Sequence, residues 1–238
     1  MSNLENYMKQ QAIFCEQNDS ISKNLYSEYG VKRGLRDEKG QGVLTGLTNI
    51  SDIKAFEYHD GVKSPCDGEL SYRGYNIKDL VTGSKGKRFV FEEGAYLLLF
   101  GELPTDTQLM EFQGRLSDCM ELPTNFTRDV IMKAPTSDIM GSMTRSILTL
   151  GSYDKEKESL EIPNVLRQSM QLIAVFPMLA VYAYHAYCHY EKNESMYIHR
   201  PEKDLSIAEN FLRLLRPDTK FTELEARVLD IALLLHME

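Results

Sequence analysis

Phe91-Glu92-Glu93-Gly94-Ala95-Tyr96-Leu97-Leu98-Leu99-Phe100-Gly101-Glu102-Leu103-Pro104-Thr105-Asp106-Thr107-Gln108 contains a helix, its stop and the start of the next helix. The apolar run predicts a helix over 91–100. Gly101 suits the left-handed position that closes it, and Pro104 cannot continue it. Thr105 through Gln108 is a capping box, in which the Thr side chain and the Gln side chain each satisfy a backbone N–H of the first turn. Leu109, Phe112, Leu116 and Met120 then return at helical spacing and predict one buried face.

The same grammar repeats toward the C-terminus. Pro123 separates a short helix around Arg128 to Lys133. Thr136-Ser137-Asp138 opens another helix with Ile139, Met143, Ile147 and Leu150 as its buried stripe and Gly151 as its stop. After the charged loop Asp154 to Glu158, a long helix is expected from about Pro163 to Tyr190, kinked at Pro177. Its segment Leu172 to Tyr184 is apolar nearly all round, which predicts burial on several sides. Ser206-Ile207-Ala208-Glu209 and Thr222-Glu223-Leu224-Glu225 are two further capping boxes. The last helix carries Leu224, Val228, Ile231 and Leu235 on one stripe. No Gly, Asn, Pro or basic turn closes it before Glu238, and its final carbonyls need partners. The chain is therefore expected to be the N-terminal piece of a longer protein.

Toward the N-terminus the pattern weakens. Residues 48–76 are the one β-like zone: Thr48 to Phe56 alternates, Asp60-Gly61 and Asp67-Gly68 are turn dipeptides, and Leu70-Ser71-Tyr72 alternates again before Arg73-Gly74. Gly30 through Gly46 carries Lys32, Arg33 and Arg36. Its glycines at 30, 34, 40, 42 and 46 match neither phosphate-loop spacing, so it is expected to be a flexible connection. Before it come an amphipathic helix with Ile13 and Phe14 and a short helix with Leu25, Tyr26 and Tyr29. The fold class expected is all-α with a small β-hairpin region near residues 48–74. Residues 1–45 are taken as N-terminal helices and linker, and residues 46–238 as one body.

Composition restricts the function classes. The chain has 238 residues, 27 Lys+Arg against 35 Asp+Glu and a net charge of -8. An acidic surface argues against a phosphate-backbone partner, and Lys85-Gly86-Lys87-Arg88 reads as a solvated loop. Cys15, Cys66, Cys119 and Cys188 show no metal or disulfide spacing and are expected to be free thiols. The N-terminus has no secretory h-region. The apolar run Leu172 to Tyr184 falls short of the ~18 residues that span a bilayer. No membrane association and a cytoplasmic location are expected.

Among the five histidines, His185 and His189 share a helix face at i, i+4, but Ala186 stands where a metalloprotease has Glu, and no carboxylate completes a metal set. His199, beside Arg200, is a loop residue, and His59 belongs to a hairpin. His236 follows the apolar run Ile231 to Leu235 and either caps that helix or faces a cleft. No GxSxG nucleophile motif is present. These residues alone describe a helical domain without a named activity.

Several stretches taken together resemble citrate synthases. Asp67 to Leu80 (DGELSYRGYNIKDL) looks like the family's G-x-L-x-Y-R-G-Y-x-I-x-D-L. Phe91 to Pro104 looks like F-E-E-x-A-Y-L-L-L-x-G-E-L-P, Asp204 to Leu212 like D-L-S-x-A-x-N-F-L, and Leu233 to Glu238 like the start of L-x-L-H-x-[DE]-H. The N-terminal lead and the Pro135 to Arg145 segment look most like the citrate synthases of clostridium-like bacteria. The resemblance implies an all-α large domain that dimerises through antiparallel helices, and a small domain that closes over the substrates. It also implies condensation of acetyl-CoA with oxaloacetate to citrate and CoA, with no metal or bound cofactor. In the family a histidine and an aspartate act on the acetyl methyl group and a second histidine polarises the oxaloacetate carbonyl. Laid on this chain, the motif gives His236 its first histidine and Glu238 its acidic position. The catalytic histidine would follow Glu238, so no catalytic residue is assigned and the chain alone is expected to be inactive. His236 and Asn210 are the candidate substrate-binding residues, and Ile207 replaces a substrate-contacting histidine of many members. A 2-methylcitrate synthase using propionyl-CoA and a non-catalytic helical scaffold remain the alternatives.

Overall fold

The computed structural model describes residues 7–8, 11–13, 16–17, 22–32, 34–36, 40–43 and 46–237. Phe14, Cys15, Arg33 and Glu238, named above, lie outside the described residues. Chain contacts divide the molecule into units 1–48 and 49–238.

In the first unit, residues 7–8, 11–13 and 16–17 are helical. Helix α1 (Lys23–Glu28) starts at Ser22, whose hydroxyl accepts the Asn24 N–H. The glycine-rich stretch folds back on itself: Arg36 and Gly42 form an isolated antiparallel bridge, and Arg36 Nη1 donates to the Gly40 carbonyl at 2.8 Å.

The second unit begins with strands β1 (Ser51–His59), β2 (Val62–Tyr72) and β3 (Tyr75–Asn76), antiparallel in that order. Asp60 and Gly61 both have positive φ, as do Arg73 and Gly74, so each pair sits in the left-handed region that a tight two-residue hairpin turn requires. Asp67-Gly68 does not reverse the chain. Lys54 pairs with Glu69 and Phe56 with Pro65, so Cys66 to Gly68 bulge out of β2 opposite Ala55. A turn dipeptide that has ladder partners on both sides becomes a bulge.

The helices follow: α2 (Ile77–Gly83), α3 (Val90–Phe100), α4 (Asp106–Asp118), a π-helical turn at Thr127–Ile131, α5 (Ile139–Gly151), α6 (Ile162–Lys192), α7 (Ile207–Leu215) and α8 (Glu223–Leu235). The molecule is mainly helical, as expected. The capping boxes at Thr105, Ser206 and Thr222 are all formed, and Gly101 closes α3 at φ +86. The middle of α6 buries Ala174, Val175, Met178, Leu179, Val181 and Tyr182 among Phe126, Ile131 and Leu214. By length and composition α6 could cross a bilayer, but here its middle is core.

Two expected stripes turn out differently. On α5 the fully buried positions are Ser142 and Ser146, while Ile139, Met143, Ile147 and Leu150 are only partly buried beside them. Small hydroxyl side chains occupy the most enclosed positions of α5, which packs against α6. On α8 the expected apolar stripe is largely outside: Leu224 is 72% exposed and Val228 60%. The face that α8 buries is Ala226, Asp230 and Leu234, which meets α3 and α7.

Candidate functional site

Two helix starts meet where α8 crosses α3 and α7, and each is held by a carboxylate from another part of the chain. Asp230 on α8 accepts the Val90 N–H at 3.0 Å and the Phe91 N–H at 2.9 Å, so it supplies the cap that the α3 start lacks locally. Glu92, two residues on, accepts the Ile207 N–H at 2.7 Å and caps α7 in the same way. Glu209 closes the capping box of Ser206 and also takes a bidentate grip from Arg88 at 2.8 and 2.7 Å. Unpaired N–H groups and the positive end of the helix dipole make helix starts favourable places for buried carboxylates. A cavity of about 540 Å³ opens beside this junction, lined by Arg88, Ser206, Glu209, Ala226, Arg227 and Asp230 among others.

The electrostatics are strained. Glu92 is wholly buried, and burial is the largest of the effects that push its carboxyl up to about 8, with the Asp230 carboxylate adding to it. Burial also raises Asp230, opposed by its two backbone donors and by Arg227. The Oε2 atom of Glu92 is buried without a hydrogen-bond partner among the described atoms.

The other end of α8 carries His236. Tyr72 Oη donates to the Leu234 carbonyl at 3.0 Å and so satisfies one of the last carbonyls of the helix. Gly94 lets α3 approach there: a Cβ at that position would lie 2.4 Å from Leu234 Cδ1 and 3.0 Å from Met237 Sδ. His236 is exposed, and its Nδ1 lies 2.7 Å from the Ala232 carbonyl. A carbonyl only accepts, so Nδ1 carries the proton and Nε2 faces outward; in the neutral ring that nitrogen is an acceptor.

The sequence candidates are not gathered in one cavity. Ile207 and Asn210 lie on consecutive turns of α7, both buried. Asn210 is occupied within the chain: Oδ1 accepts the Glu202 N–H and Nδ2 donates to the Glu202 carbonyl, each at 2.9 Å. That amide, expected as a substrate contact, clamps the loop before α7 in this arrangement. None of His236, Ile207 and Asn210 lines the 540 Å³ cavity. His185 and His189 do not converge on a metal either. Nε2 of His185 donates to the Leu214 carbonyl and Nδ1 of His189 to the Glu194 carbonyl, and among the described residues no group of three metal-ligating side chains forms. Glu92 and Asp230 were the residues missed. The available signal was Asp230 as the lone charge in the apolar run Val228 to Leu235.

Residues 35–238 match the family model described as Citrate synthase, C-terminal domain. The chain belongs to the citrate synthase family. It is 31% identical over 170 residues to a 2-methylcitrate synthase of Shewanella oneidensis, covering 71% of this chain and 41% of that protein. It is 28% identical over 208 residues to a citrate synthase of Saccharolobus solfataricus, covering 87% and 48%. The crystal structure of citrate synthase from Pyrobaculum aerophilum superposes with a TM-score of 0.66 at 25% identity, over 86% of this chain and 49% of that one. The chain thus spans about half the length of the citrate synthases it matches. The junction of α3, α7 and α8 lies within the matched residues and is part of the citrate synthase scaffold.

Proposed function

We propose that this chain supplies the large-domain part of a citrate synthase that condenses acetyl-CoA with oxaloacetate and releases citrate and CoA. The observation that carries the reading is the end of α8. There Leu234 of the family's segment is held by Tyr72 and Gly94, and the exposed His236 turns its Nδ1 to the Ala232 carbonyl. In that reaction a base removes a proton from the acetyl methyl group, the resulting carbon attacks the oxaloacetate carbonyl, and water then cleaves the thioester. The resemblance puts the acid-base residues after Glu238, so the 238-residue chain alone has no condensing activity in this reading. The exposed stripe Leu224, Val228 and Leu235 supports it, since an apolar face of that kind suits further packing.

A second reading, 2-methylcitrate synthesis from propionyl-CoA, is favoured by the Shewanella relative. CoA-thiol release is the test, with acetyl-CoA and propionyl-CoA each offered with oxaloacetate. It is run on the 238-residue chain and on the product of the complete reading frame that holds it. The expected result is no release by the chain and acetyl-CoA preference in the product. Propionyl-CoA preference selects the second reading, no release from either selects a non-catalytic scaffold, and release by the chain itself overturns its inactivity. Self-association is part of the proposal: Met140 and Leu148 on α5, and Leu160, Ile162 and Val165 around the start of α6, are exposed and fit a second copy. Sedimentation showing only monomer at roughly tens of micromolar removes that part. The protein is read as cytoplasmic, with no nucleic-acid or membrane partner.

A further inference from the structure

We propose that Glu92 is a protonated positioning residue, a neutral carboxylic acid that holds the first turn of α7 and loosens it on ionising. The geometry comes first. Glu92 is enclosed by α3, α7 and α8, with one oxygen on the Ile207 N–H and the other without a partner among the described atoms. The charged groups around it are Glu209 on α7, Asp230 and Arg227 on α8, and Arg88, Lys87 and Glu93 at the α3 start. Every cation there is engaged elsewhere. Arg88 grips Glu209, Lys87 pairs with Glu93, and Arg227 donates to the Lys87 carbonyl and to Ser84 Oγ. None of them hydrogen-bonds Glu92, the second buried carboxylate beside Asp230.

Of the two acids, Asp230 has two backbone donors and the field of Arg227, so it ionises first. Glu92 has one donor from another helix, the Ile207 N–H, beside its own backbone N–H, and keeps its proton. With its carboxyl pushed up to about 8 by burial and then by Asp230, the folded chain holds a proton that the unfolded chain, at the ordinary value of 4.5, has lost. The sign follows from linkage. The stabilising contribution of Glu92 is fully present below the unfolded value and is lost as pH rises through the folded one. Above that point a charged Glu92 faces both burial and Asp230, and the backbone N–H groups of Ile207 and Glu92 do not offset them. The side chain is then drawn toward water and the Ile207 amide loses its cap. Ile207 occupies the position where many citrate synthases carry a substrate-contacting histidine, so any catalytic consequence rests on the acyl-transfer reading above. The protonation itself does not.

The test reads carboxyl ¹³C shifts of glutamate-labelled protein, together with the Ile207 amide, from pH 5 to 9. One carboxyl is expected to titrate near pH 8 and to vanish in Glu92→Gln. The Ile207 amide is expected to shift with the same midpoint in the natural chain and to stay flat in the variant, with its exchange protection falling about tenfold one pH unit beyond the midpoint. If every glutamate titrates below about pH 6, or if Ile207 follows the same pH profile in Glu92→Gln, the proposal is overturned. The carboxyl measurement needs no variant. Neither readout involves turnover, so failure to release CoA with the titration intact defeats only the catalytic reading.

Discussion

Helices α6 and α8 carry similar apolar stretches and end in opposite surroundings. The middle of α6 meets α4, α5, α7 and the π-helical turn, and Val175, Leu179 and Val181 are enclosed on several sides. Helix α8 meets α3 and α7 on one face only, and the residues on that face are Ala226, Asp230 and Leu234 rather than its apolar stripe. Periodicity tells which residues share a face. It does not tell which face has a neighbour, because that depends on segments far away in the chain.

Four variants test this contrast. Leu179→Ala in the enclosed helix leaves a cavity and is expected to cost about 2–5 kcal/mol in chemical denaturation. A loss below about 1 kcal/mol would mean that α6 is not the packed element it is taken to be. On the buried face of α8, Asp230→Ala strips the Val90 and Phe91 N–H groups of their acceptor. The expected loss is roughly 2–4 kcal/mol; an unchanged midpoint would mean those caps do not matter.

Gly94→Ala drives a methyl group against Leu234, a buried side chain with no room to swing, and should lower stability by about 1–3 kcal/mol. A neutral result would show that α3 and α8 can separate there. The smallest effect belongs to the exposed stripe. Leu224→Gln combined with Val228→Thr should stay within about 0.5 kcal/mol in the 238-residue chain. A larger loss, with a fall in sedimentation coefficient, would reveal that a second copy covers it.

The candidate site was less legible than the helices. Capping boxes at Thr105, Ser206 and Thr222 are local: their donors and acceptors lie within four residues, so spacing predicts them. The α3 cap is Asp230, a donor–acceptor pairing across 140 residues that spacing does not encode. Asn210 shows the converse. A polar residue in a family motif was read as a substrate contact, yet both ends of its amide bind the loop at Glu202. Its partner follows from how that loop runs back over α7. His236 was read as either capping its helix or facing a cleft; its Nδ1 turns back to the Ala232 carbonyl of its own helix.

The amino-acid order determined by itself what depends on neighbours along the chain: helix starts and stops, the Asp60-Gly61 turn, the mainly helical class and the family motifs. Only the tertiary structure decided that Asp67-Gly68 is a bulge, that α8 turns Asp230 inward and Leu224 and Val228 out, and that Glu92 is sealed between three helices. Burial changes the free energy of a charge far more than that of an apolar group. The same glutamate is therefore an ordinary helix residue in sequence and a held proton once α7 and α8 close over it.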